Sequence, residues 1–88
     1  MMIALASKDN TTVRLDSNLD VARETAEFFV AVSGSKYLYR KFTFADFSDA
    51  AKVYKYLSGK LDEGTYTDEV ADNVTMVINL HSILKEVS

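Results

Sequence analysis

The sequence predicts an α+β domain: an antiparallel sheet of about four strands, arranged as two hairpins in the N-terminal half, packed against two helices from the C-terminal half. Three observations carry this prediction. Residues 27–32, EFFVAV, and residues 36–44 have the β-branched and aromatic content of strands. Residues 46–59 read as a capped amphipathic helix that stops at a glycine. Residues 68–87 run on without a breaker, which favours a second helix.

The first hairpin joins residues 2–6, which are short and apolar, to residues 11–15, where Val13 and Leu15 alternate with polar neighbours. The turn formers Ser7, Lys8, Asp9 and Asn10 separate them. Ser17 followed by Asp20 has capping-box spacing, so residues 18–25 read as a short helix or irregular turn leading into a strand. The competing reading is a strand, because Val21, Arg23 and Thr25 also alternate. The second hairpin is centred near Gly34. In its return strand Leu38, Arg40, Phe42 and Phe44 share one face, and Tyr37, Tyr39, Lys41 and Thr43 share the other. The first set faces the core, with Arg40 at its edge.

Asp46 to Ser48 supply caps for the first helix, whose stripe is Phe47, Ala50, Ala51, Tyr54, Leu57 and Ser58, and Gly59 sits at a left-handed C-cap position. Residues 61–66 then form a loop containing Gly64, and Thr67 caps the last helix. That helix has one stripe of Val70, Val74, Val77, His81 and Leu84 and a second of Met76, Leu80, Ile83 and Val87. The sheet takes one side, leaving Met76, Leu80, Ile83 and Val87 as candidates for self-association into a homodimer. The competing reading is a strand over residues 74–80, VTMVINL.

Eighty-eight residues make a single domain, 1–88, with one modest core. The absence of cysteine excludes disulfides, thiolate metal sites and thiol nucleophiles, and suits a reducing cytoplasm. The apolar run at the N-terminus is too short for a signal peptide, and no segment has the length of a membrane span, so a cytoplasmic protein with no membrane partner is expected. With no proline and only three glycines, the chain reads as folded throughout.

Its chemistry is equally bounded. The one histidine, His81, lies on an apolar stripe without a carboxylate on the same face, which is the pattern of a partly buried structural residue. The carboxylates Asp62, Glu63, Asp68, Glu69 and Asp72 lack the alternation and central glycine of a calcium loop, and no glycine-rich phosphate loop is present. No cofactor, metal or catalytic residue is therefore expected.

The net charge of −3 hides a division along the chain: residues 1–35 sum to −2, residues 36–60 to +4 and residues 61–88 to −5. The basic segment holds Lys36, Tyr37, Tyr39, Arg40, Lys41, Lys52, Lys55 and Tyr56, the candidate partner-binding residues, because amphipathic aromatics beside cations serve as interface anchors. The acidic segment gives a candidate acidic face of Asp62, Glu63, Asp68, Glu69 and Asp72.

The function expected is a small non-enzymatic protein-binding module. By size and composition it is comparable to accessory proteins of phages and mobile elements that inhibit or modulate a host macromolecule, such as a nucleic-acid-binding defence enzyme, through charged surfaces. The alternative is a single-stranded nucleic-acid-binding protein using the basic and aromatic residues 36–41. The acidic pI of about 5.0 weighs against it.

Overall fold

The computed structural model describes residues 1–87, without the side chains of Ile83, Lys85, Glu86 and Val87. It is the expected α+β arrangement. Strands β1 (Met2–Lys8), β2 (Thr11–Asp20), β3 (Thr25–Gly34) and β4 (Arg40–Phe44) precede helices α1 (Phe47–Glu63) and α2 (Asp68–Val87). The sheet is an antiparallel meander in the order β1-β2-β3-β4, so every strand pairs with its sequence neighbour.

The first turn falls where the sequence places it. Asp9 and Asn10 both have positive φ, 52° and 64°, as a two-residue turn between twisted strands requires. No helix follows β2. The strand continues to Asp20, pairing Asn18 with Glu27, Leu19 with Ala26 and Asp20 with Thr25. Asp20 does make a local carboxylate contact, but it accepts from Arg23 N at 3.2 Å within the turn, where Glu24 takes φ 54°.

The second hairpin also differs from expectation. Its register pairs Val32 with Arg40 and Val30 with Phe42, which moves the centre from Gly34 towards Lys36. Residues 35–39 form an open connection rather than strand. Gly34 is still inside β3, and its lack of a side chain has another cause. A Cβ there would lie 2.8 Å from Thr11 Oγ1 and 3.1 Å from Thr11 Cα. The glycine lets β2 and β3 approach; it does not make the turn.

The helices cover one face of the sheet. Val13 and Leu15 from β2, Val30 and Val32 from β3 and Phe42 from β4 form one cluster with Ala50, Leu57 and Leu61 of α1 and Ala71 and Val74 of α2. Phe42 and Phe44 face inward as expected, whereas Leu38 is 63% exposed because it belongs to the connection and not to the strand. Tyr37, expected on the opposite face, turns into the core instead and meets the buried Tyr66 edge-on at 5.0 Å.

Asp46 caps α1, accepting from Ser48 N at 2.8 Å. The helix passes through Gly59 and ends four residues later, with Gly64 as its left-handed cap at φ 76°. Magnitudes explain the extension. An internal glycine costs about 1 kcal/mol relative to alanine, while burying a leucine returns about 1.5–3 kcal/mol. Leu61 continues the inner stripe of Ala50 and Leu57 and is 6% exposed.

Thr67 caps α2 through its hydroxyl, which accepts from Val70 N at 3.2 Å. Residues 74–80 are helix, not strand. The core-facing stripe is Ala71 and Val74, with Val70 and Ile78 partly buried beside them. Val77, Leu84 and His81, expected on the buried stripe, are exposed. The 100° step per residue turns Val77 and Leu84 away from the line through Val74 and Ile78. His81 keeps the angular position of Val70 and Val74 but lies past Ile78, the last described residue of α2 to reach the core.

Candidate functional site

The basic and aromatic stretch does not form one surface. Tyr37 packs inward on Tyr66, and Tyr39 is exposed. Arg40 donates from Nη2 to Asp72 Oδ1 at 2.6 Å. Lys41, one residue on, points through the pleat to the helix-free face, where its Nζ lies 4.5 Å from the centre of the Phe29 ring. Arg14 reaches the same ring at 5.9 Å. Lys36 lies in the connection beside Tyr37, and Lys52, Lys55 and Tyr56 lie on α1.

Part of the acidic segment is committed to the fold. Asp68 Oδ1 accepts from Leu38 N at 3.1 Å, and Asp72 holds Arg40, so both carboxylates tie the 35–40 segment to α2. Asp62, Glu63 and Glu69 are exposed at the junction of the helices, Asp62 using its backbone oxygen to accept from Lys8 Nζ at 2.7 Å. Among the described residues, the basic and acidic segments thus meet through one ion pair, Arg40 with Asp72, while Lys36, Lys41, Lys52, Lys55, Asp62, Glu63 and Glu69 are exposed.

His81 is exposed and not partly buried. It lines a cleft of about 520 Å³ with Asp46, Asp49, Lys52 and Ser82, where β4 ends and α1 begins. The Asp46 carboxylate is engaged as the α1 cap, and among the described residues none donates a hydrogen bond to orient the imidazole. No group of three or more His, Cys, Asp or Glu among the described residues is arranged to hold a metal ion. No helix among them is long and apolar enough to cross a membrane.

An apolar wedge of about 350 Å³ lies between α1 and α2, lined by Lys52, Val53, Tyr56, Asn73, Val74, Val77 and Ile78. Beyond Ile78, no described residue of α2 joins the core. On the outer side of α2, Met76, Val77, Leu80 and Leu84 are 68%, 66%, 58% and 58% exposed. At 100° per residue these four fall within an arc of about 100°, so they make one stripe that runs into the wedge at Val77. Met76 and Leu80 were expected on such a surface. Val77 and Leu84 join them, and Ile83 and Val87, the other two self-association candidates, have side chains outside the described residues. Sequence reading missed the wedge itself, since its walls come from two helices whose divergence no local pattern encodes.

Comparison with protein-family models, with curated proteins and with solved structures finds no match for this chain.

Proposed function

We propose that the chain is a non-enzymatic module that binds protein, with the wedge and the outer stripe of α2 as its docking surface. The single observation supporting this is the exposure of four large apolar side chains on one side of α2, beside an apolar groove. A contiguous patch of this kind marks an interaction surface. Its components suit a helix as the occupant. The floor is Val53, Val74 and Ile78, and Tyr56 and Lys52 supply an amphipathic rim, Tyr56 as anchor. Within this proposal the exposed Asp62, Glu63 and Glu69 give the module an acidic end able to face a basic nucleic-acid-binding enzyme, as an accessory inhibitor would.

A photo-crosslinking side chain at Val77 tests the docking surface in cells that express the chain. An adduct with a polypeptide is expected there, and none from the same probe at Lys41. Equal yields at both positions, or no polypeptide adduct at Val77, would overturn the reading.

A second reading has one observation in its favour. Phe29, with Lys41 and Arg14 around its ring on the helix-free sheet face, has the elements of a base-stacking platform. Titration with single-stranded oligonucleotides across a salt series separates the two. Affinity that falls steeply with salt and is lost in Phe29→Ala would support nucleic acid over protein.

A further inference from the structure

We propose that the helix occupying the docking surface is α2 of a second copy of this chain, paired antiparallel with the first to form a two-fold dimer. This rests on the protein-binding reading above and names its partner.

Three features point to a second copy. The first is charge. Residues 73–84 contain no Asp, Glu, Lys or Arg, in a chain where those residues make up 26%. Two copies of net charge −3 repel each other through most of their surfaces, and this run lets them meet without opposing like charges. A charged partner would gain no complementarity from it. The second is spacing. Asn73, Val77, Leu80 and Leu84 follow one another at intervals of four, three and four residues, the repeat by which paired helices interlock. Asn73 in that seam is a polar residue of the type that fixes register at some expense of affinity. The third is direction. Parallel pairing would set the two acidic first turns, each with Asp68 and Glu69, against each other. Antiparallel pairing sends them to opposite ends and aligns Val77 with the partner copy's Leu80, and Asn73 with its Leu84, a reciprocal match that a two-fold axis requires.

The available area sets the strength. The four exposed side chains offer on the order of 400 Å² per copy, comparable with the largest patch on an ordinary monomer. With Tyr56 and the Lys52 stem added, the total buried comes to roughly 1,000–1,200 Å², the low end for a specific interface. The dimer is therefore a dissociable one, forming in the micromolar range or above.

Light scattering over a concentration series should show mass rising from the 9.8 kDa of one chain towards twice that value. Leu80→Glu should weaken association about tenfold or more, since it buries an unpaired charge in the seam. Far-UV circular dichroism checks that the variant is folded. A wild-type chain that stays monomeric at millimolar concentration overturns the inference, as does a folded Leu80→Glu that associates equally well. The chain has no cysteine, so paired single-cysteine variants give an independent test. A mixture of Val77→Cys and Leu80→Cys should form disulfide dimers faster than either variant alone. Faster cross-linking of Leu80→Cys by itself would overturn the antiparallel geometry. If the purified chain is monomeric while the Val77 probe still captures a different polypeptide, the dimer fails and the protein-binding reading survives. If the probe captures no polypeptide and no dimer forms, both fail.

Discussion

The neighbouring residues Arg40 and Lys41 look equivalent in sequence and are opposite in the fold. Arg40 has a side chain only 20% exposed and a carboxylate partner at 2.6 Å, while Lys41 is an exposed cation beside a phenylalanine ring. Arg40→Glu sets two carboxylates together and should destabilise by about 1–2 kcal/mol, more than the 0–1 kcal/mol typical of an exposed ion pair because repulsion replaces attraction. Lys41→Glu should shift stability by less than about 0.5 kcal/mol. Urea denaturation of the two variants checks the contrast. Tyr66 makes a second case. Its ring is 3% exposed, and its hydroxyl is buried with no hydrogen-bond partner among the described residues. Burial, followed by the nearby Asp68 carboxylate, raises its pKa above the usual 10.0. The folded state therefore holds the phenolic proton more tightly than the unfolded chain. That contribution is fully present below pH 10, and is lost as pH rises from there through the folded value. Tyr66→Phe should flatten the decline of the urea midpoint as pH rises above 10, and leave neutral-pH stability unchanged or slightly higher because a buried unpaired hydroxyl is removed. An unchanged alkaline slope would show that Tyr66 is not its source.

The glycines show why whole elements were legible while their ends were not. Gly34, Gly59 and Gly64 are chemically identical, yet one permits strand approach, one sits inside a helix and one caps it. Sequence reading gave Gly34 the turn and Gly59 the cap, because a glycine near the end of a periodic run signals punctuation. What decides the matter is long-range: Thr11 against Gly34, and the burial of Leu61 beyond Gly59. Burial against the sheet also decides the helical state of residues 74–80 against their β-branched composition, since Val74 and Ile78 reach the core while Met76, which would share their face in a strand, is 68% exposed. The positions make opposite predictions. Gly59→Ala meets nothing within 4 Å in a helical backbone, and should stabilise by about 0.5–1 kcal/mol. Gly64→Ala forces a side chain into φ 76° and should destabilise by about 1 kcal/mol or more. Thermal denaturation of the pair measures both, and a reversed order would return the cap to Gly59.

For the whole molecule, the α+β class and the count of four strands and two helices follow from local pattern, because a meander asks only that each strand find its sequence neighbour. The candidate surface was legible in part. Met76 and Leu80 stood out as apolar residues in excess of one core face, but the groove beside them depends on where α2 parts from α1. The same excess has a thermodynamic consequence. Two copies that bind only when folded stabilise each other by mass action, so the folded state gains free energy with total concentration. A domain of this size has little stability to spare, and a rise of about 1 kcal/mol should move the melting temperature by about 4–8 °C. Melting temperature should therefore climb between micromolar and millimolar protein. In Leu80→Glu the climb should begin only at about tenfold higher concentration or more, while Lys41→Glu, altered on the helix-free sheet face, should match the wild type. A wild-type melting temperature independent of concentration would leave the apolar stripe without a second copy to cover it.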